Sequence, residues 1–219
     1  MTSKTTMILA AHPDDETLGC GGTIARKVKQ GFKVIIVVLT RGEKLFQVML
    51  DIQESPSPDE VANIRRAETT RAVGILGVPE ENLVFLDFGD ATLDQHKDAA
   101  VKKVIALLEE YTPAELYYLN ENEHHPDHRA SNQIAREACV RVAAGIQEIQ
   151  YIVGLKHGLD HSAIKVEFEK VDISEFIPLK GRAIEQFVSH YGILSNKQNK
   201  PLVDSPDKYL DGVELFKSR

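Results

Sequence analysis

Cysteine is scarce in this chain. Cys20 and Cys139 are the only two in 219 residues, and neither lies in a CxxC pair. Two are too few for a disulfide framework, so a reducing compartment is the default expectation. Surplus basic charge is missing too: 26 Lys and Arg stand against 33 Asp and Glu, a net charge of −7. A face that neutralises nucleic-acid phosphates needs the opposite balance, and nothing here favours an anionic membrane surface as partner. No run approaches the roughly 18 apolar residues of a membrane span. The N-terminus passes from Met1-Thr2-Ser3-Lys4 into a short strand-like run, without the apolar core and cleavage site of a signal peptide. The expected setting is cytoplasmic. Internal repeats and low-complexity blocks are also lacking.

What is present is the composition of a soluble globular protein, 42% apolar and 27% charged, with length enough for one domain and a substantial core. Thr6 to Ala11 reads as a buried strand. Gly19, Gly21 and Gly22 then loosen the backbone before a helix over Thr23 to Gln30, and Lys33 to Leu39 is a β-branched strand suited to a parallel sheet covered on both faces. Arg41 to Pro58 is expected to be a long loop or partly helical lid, Asp59 a helix cap, and Val61 to Leu76 a helix closed by Gly77. Further on, the pattern predicts a strand over Asn82–Asp87, a helix over Asp98–Tyr111, a strand over Glu115–Leu119, a helix over His128–Val142 and a strand over Gln150–Leu155. Ile164 to Val171 alternates like an edge strand. A helix over Glu175–Tyr191, interrupted near Pro178, and an extended polar tail from about Asn196 complete the reading. The fold class is α/β: one Rossmann-like domain over 1–219, with a mostly parallel sheet flanked by helices.

The chemistry is concentrated where two apolar runs stop. Met7-Ile8-Leu9-Ala10 ends in Ala11-His12-Pro13-Asp14-Asp15-Glu16, and Leu116 to Leu119 is followed by His124-His125-Pro126-Asp127-His128. An apolar strand that breaks into imidazoles and carboxylates is not a packing pattern. Parallel strands of one sheet carry both loops to the same edge, where open α/β sheets bind ligands. His12 and Asp15 are three apart, as are His125 and His128, so four to five donors can meet there. Pro13 and Pro126 hold the preceding histidines extended. Two histidines and a carboxylate suit Zn²⁺ with one position left for water, and a spare carboxylate supplies a general base. Either motif alone could be a helix cap or a polar loop; both at strand ends of one α/β pattern point to a metal site.

Together, His12-Pro13-Asp14-Asp15-Glu16 and His125-Pro126-Asp127-His128 resemble the LmbE/PIG-L family of zinc-dependent de-N-acetylases. Arg65-Arg66-Ala67-Glu68 leading to Leu76-Gly77, and Leu86-Asp87 to Asp90, resemble its middle segments. The likeness covers roughly residues 6–140 well and the last third weakly, where Lys180 and Ser189 fit a loose pattern and His190 replaces the usual glutamine. The resemblance implies that His12, Asp15 and His128 ligate Zn²⁺, with Fe²⁺ also suited to these ligands. It implies that Asp14 is the general base, and that His125 stabilises the oxyanion or protonates the leaving amine. Asp127 would orient a histidine, and Arg65 and Asp90 would contact substrate. Family members often carry a tyrosine before the second motif; here Asn122-Glu123-His124 occupy that stretch. The implied activity is hydrolysis of an N-acetyl group from an N-acetylglucosamine-type sugar. The expected partner is a small N-acetylated sugar, not nucleic acid, with homo-oligomerisation left open.

Other residues are weighed down. Gly19-Cys20-Gly21-Gly22 breaks the dinucleotide fingerprint, because Ile24 stands at its third glycine. Cys20 reads as packing, Tyr117 and Tyr118 as strand packing, His96 and His190 as surface, and His157 and His161 as solvated loop residues. Two rivals remain at this level: a non-haem iron oxygenase with the same ligand types, and a sugar-binding module whose metal is structural.

Overall fold

The computed structural model describes residues 4–52, 55–143, 145–154 and 168–219. Seven strands form one mixed sheet in the order β3-β2-β1-β4-β5-β7-β6. β1 (Thr5–Ala10), β2 (Lys33–Thr40), β3 (Leu83–Phe88), β4 (Glu115–Leu119) and β5 (Gln147–Tyr151) run parallel. β7 (Val213–Ser218) is antiparallel to β5 and to β6 (Glu169–Asp172), which forms the edge. β1 and β2 lack polar alternation because helices cover both faces. On one face Ile8, Ile36 and Val38 pack against α1 (Asp15–Lys29), α3 (Pro58–Ile75) and α6 (Ile177–Ile184). On the other, Met7, Leu9, Ile35 and Val37 pack against α4 (Lys97–Tyr111) and α5 (Pro126–Val142).

This order decides where function can sit. From β1 the chain steps outward through β2 to β3, then returns to β4 on the other flank of β1. β1 and β4 therefore bound the point at which the winding direction reverses, and in open α/β sheets the crevice there is the ligand site. Both histidine motifs leave the C-terminal ends of these two strands. No helix among the described residues is long and apolar enough to cross a membrane.

Several sequence expectations change. The first helix begins at Asp15, not Thr23, and runs through the glycines. They serve close packing: a Cβ on Gly22 would lie 2.6 Å from the Ile173 Cβ. The segment expected to be a lid holds a short helix, α2 (Leu45–Leu50), and the cap of α3 is Ser57 rather than Asp59, in a reciprocal box with Glu60. β5 begins three residues earlier than expected. Pro178 lies in the first turn of α6, where its missing N–H costs nothing; the interruption falls instead after Ile184, before the short α7 (Val188–Tyr191). Residues 164–167 of the expected edge strand, with His157 and His161, lie outside the described residues.

The largest correction concerns the end of the chain. The expected extended tail supplies β7, which inserts between β5 and β6. Phe216 is buried and meets Tyr117 edge-on. Glu214 is buried as well: it pairs with the fully buried Lys180 at 2.8 Å and accepts the N–H groups of Gly22 and Thr23 at 2.8 and 2.9 Å. A charge inside a sheet is tolerable because both carboxylate oxygens find a cation or a donor.

Candidate metal centre

The loop after β1 is built to fix side chains. Thr40, at the end of β2, donates both its N–H and its hydroxyl to the Ala11 carbonyl, at 2.9 and 2.8 Å. The His12 N–H donates to the Asp15 carboxylate at 2.8 Å, and the Asp14 N–H to Glu16 at 3.1 Å. Asp14 stands at φ 122°, a conformation that L-residues rarely adopt, and its side chain makes no capping bond to α1. Backbone strain retained at a carboxylate that does not cap the helix marks a residue held for its position. After β4, Pro126 opens α5, and the Nδ1 of His125 accepts the Asp127 N–H at 3.2 Å.

Three donors converge between these loops. His12 Nδ1 lies 3.2 Å from His128 Nε2 and 3.5 Å from Asp15 Oδ2, and His128 Nε2 lies 3.3 Å from Asp15 Oδ1. A tetrahedral ion with donors about 2.0–2.1 Å away spaces them ~3.3–3.4 Å apart. The nitrogen–nitrogen separation is close to that edge length, and Asp15 presents one carboxylate oxygen to each nitrogen, so the two histidines and this carboxylate fit a zinc-sized cation. His12, His125 and His128 also lie close enough to share an ion, as do His12, Asp90 and Asp127. The first combination shares His12 and His128, and in the second the two carboxylates face Nε2 of His12.

The rear nitrogen of each histidine is engaged. His12 Nε2 lies 3.3 Å from both Asp90 Oδ1 and Asp127 Oδ2. Asp127 is itself held by the N–H groups of Ala91 and Leu93, and Asp90 by that of Lys44. His128 Nδ1 lies 3.3 Å from Glu123 Oε2, and Glu123 accepts the N–H groups of Val153 and Gly154 just beyond β5. A carboxylate behind a ligating histidine fixes its tautomer and raises its basicity. Sequence reading finds Asp127 in this position and misses Glu123.

Burial and mutual charge set the protonation pattern. Burial alone would lower the His128 pKa, but the Asp15 and Glu123 carboxylates outweigh it and raise it to about 9. His12 rises for the same reason, with Asp127, Asp15 and Asp90 as its partners. Burial would raise Asp15, yet His128 and His12 hold it well below the usual carboxylate range. Asp14 goes the other way: burial lifts it toward neutrality against the opposing Arg65 guanidinium. His125 falls to about 4 through burial and its neighbours His12 and His128, so it is neutral. Because its Nδ1 accepts a backbone N–H, its proton sits on Nε2. Burial drives the Cys20 thiol upward, as befits a packing residue rather than a nucleophile.

The cluster opens into a cavity of about 380 Å³. His12, Asp14, Asp15, Arg65, Asp90, His125 and His128 line it together with the apolar Leu45, Val48, Met49, Leu202 and Val203. Arg65 is buried, donating to the carbonyls of Gly42 and Pro13 at 2.9 and 2.6 Å, with Asp14 Oδ2 at 3.4 Å. His190, expected on the surface, lines the cavity instead, its Nε2 3.1 Å from the same Asp14 oxygen. No local sequence signal announces this contact, since α7 reaches the site only through the tertiary fold.

Residues 7–139 match the family model described as PIG-L, GlcNAc-PI de-N-acetylase. The chain belongs to this family. Among relatives of the PIG-L member described here, the diacetylchitobiose deacetylase of Thermococcus kodakarensis is 30% identical over 199 residues, covering 86% of this chain and 70% of its own. The N,N'-diacetylchitobiose deacetylase of Pyrococcus horikoshii superposes with a TM-score of 0.76 at 22% identity, over 100% of this chain and 84% of its own. GalB, the 4-carboxy-2-hydroxymuconate hydratase of Pseudomonas putida KT2440, superposes at 0.71 and 21% identity over 84% and 78%. A deacetylase and a hydratase thus share this fold, and the chemistry has to be argued from the site.

Proposed function

We propose that the protein is a zinc-dependent hydrolase that removes the N-acetyl group from an N-acetylglucosamine-type sugar or conjugate, and that it works in the cytoplasm, where its free thiols stay reduced. One observation carries the reading: the 3.2–3.5 Å spacing of His12 Nδ1, His128 Nε2 and the Asp15 carboxylate. The name of the Thermococcus relative, a diacetylchitobiose deacetylase, supports the substrate class.

His12, Asp15 and His128 would hold a divalent cation, which would supply Lewis acidity for the amide carbonyl and lower the pKa of a water toward about 7. Fe²⁺ suits the same donors. Asp14 accepts the proton of the attacking water; its elevated pKa suits a base that must take a proton and give it back near neutrality. Neutral His125 donates from Nε2 to the oxyanion developing on the acetyl oxygen. When the C–N bond breaks, Asp14 returns its proton to the leaving amine, so one water is consumed and acetate and a free amine are released. Asp127 and Glu123 hold the two histidines in their tautomers. Arg65 and Asp90 are the substrate contacts we propose at the cavity wall, in addition to their bonds to the loops at Pro13, Gly42 and Lys44.

The test is incubation of metal-stripped and Zn²⁺- or Fe²⁺-reloaded protein with N-acetylglucosamine and N,N'-diacetylchitobiose, assaying acetate and amine with and without oxygen. The reading expects equal amounts of both products, lost on chelation, restored by metal and indifferent to oxygen. Turnover that requires oxygen would favour an iron oxygenase, and absence of acetate from every N-acetylated sugar would refute the proposal.

A further inference from the structure

Beyond the metal donors, one buried polar chain reaches the site from the C-terminal part of the molecule. Ser189 N–H and hydroxyl both donate to the carboxylate of Glu68 on α3, at 2.8 and 2.6 Å, with both residues buried. The same hydroxyl lies 3.2 Å from His190 Nδ1, and His190 Nε2 lies 3.1 Å from Asp14 Oδ2. Since the serine proton is committed to Glu68, its oxygen is an acceptor toward His190, which places a proton on Nδ1; an N–H from Nε2 to the Asp14 carboxylate then makes the ring an imidazolium that donates from both nitrogens. The carboxylate of Glu68 thus clamps α7, and the clamp presents the Nε2 face of His190 to Asp14.

We infer that His190 is a positioning residue for Asp14, and that the Glu68–Ser189 clamp sets its aim. The inference rests on the reading of Asp14 as general base. Arg65 and His190 address the same oxygen, Oδ2, from α3 and α7, at 3.4 and 3.1 Å. Two partners on one oxygen fix the plane of the carboxyl and turn Oδ1 toward the attacking water. A carboxylate held by Arg65 alone keeps a rotational freedom about its last bond that a general base must lose before each turnover, and small errors of placement cost large factors in rate. The need is greater here because the Asp14 backbone is already at φ 122° and its side chain makes no capping bond to α1.

The experiment compares His190→Leu, His190→Gln and Ser189→Ala with the wild type in kcat, KM, metal stoichiometry and crystal structure. Leu removes the polar contact, and Gln returns an N–H near the position of Nε2. The inference expects His190→Leu to lose about 10- to 100-fold in kcat, with KM and metal content unchanged and the Asp14 carboxyl rotated. It expects His190→Gln to recover most of kcat, and Ser189→Ala to lose a few-fold. Unchanged kcat in His190→Leu, or an Asp14 carboxyl that keeps its orientation in that crystal, overturns it. If His190→Gln is as slow as His190→Leu, positioning by an N–H is also overturned. Wild-type inactivity toward N-acetylated sugars would count against the hydrolase reading, while the orientation of Asp14 in the two crystals would still decide the inference.

Discussion

His12 Nδ1 and His128 Nε2 stand 3.2 Å apart although 116 residues separate them. The contact is not local; it exists because β1 and β4 are neighbours in the sheet and each strand ends in a loop stiffened by proline. With carboxylates behind both rings, Asp90 and Asp127 at His12 Nε2 and Glu123 at His128 Nδ1, the neutral rings carry their protons at the rear and face each other lone pair to lone pair, an arrangement that makes sense around a cation.

Removal of a donor should remove the metal. His12→Ala and His128→Ala are expected to purify with less than a tenth of the wild-type metal, read by mass spectrometry of the folded protein. Asp14→Asn should keep full stoichiometry and lose at least about 100-fold in kcat, the usual scale for a positioned general base. An Asp14→Asn protein with full turnover would remove Asp14 from the mechanism.

Glu123 reaches His128 only at its rear nitrogen, so its substitution should weaken metal binding without abolishing it. Glu123→Gln is expected to lower metal affinity by about 10- to 100-fold, the range for carboxylates behind a ligating histidine. Competition with a fluorescent chelator measures this; an unchanged affinity would leave Glu123 as a loop anchor for Val153 and Gly154.

Metal binding should release protons. Without a cation, the pKa of His128 is raised to about 9, so its ring is protonated below that pH; ligation needs it neutral. Affinity should therefore climb as pH rises from 6 toward 9, by about tenfold per unit for each proton displaced. Titration calorimetry in buffers of different ionisation enthalpy counts those protons, and a count of zero at pH 7 would contradict the protonation pattern.

The Lys180–Glu214 pair should matter for stability. Lys180→Met leaves the buried Glu214 with only two backbone donors and is expected to cost about 3–5 kcal/mol, as breaking a buried pair commonly does. Chemical denaturation measures the loss. A change below about 1 kcal/mol would mean that Glu214 takes up a proton or reaches water.

The reaction class was legible in the sequence because His12-Pro13-Asp14-Asp15 and His125-Pro126-Asp127-His128 both follow apolar strands of one α/β pattern, a coincidence that capping or a polar loop explains singly but not together. The parallel core was legible too, since Val34 to Leu39 is buried on both faces and cannot alternate. β7 was not, because its inward face carries Glu214 beside Phe216 and its outward face Val213 and Leu215. A pattern reading takes that alternation for a polar tail; only Lys180, from another helix, makes the buried glutamate tolerable. Glu123 and His190 escaped for a related reason. Each is an ordinary polar residue in its own segment, and its role comes from partners that the fold brings across the sheet edge.

The most direct test of the central claim is anomalous diffraction at the zinc edge from a crystal of the metal-loaded protein. A single peak about 2.0–2.3 Å from His12 Nδ1, His128 Nε2 and an Asp15 oxygen, with His125 outside that distance, is the expected result. A peak ligated by His125 in place of Asp15, or no peak between the two loops, would contradict the account.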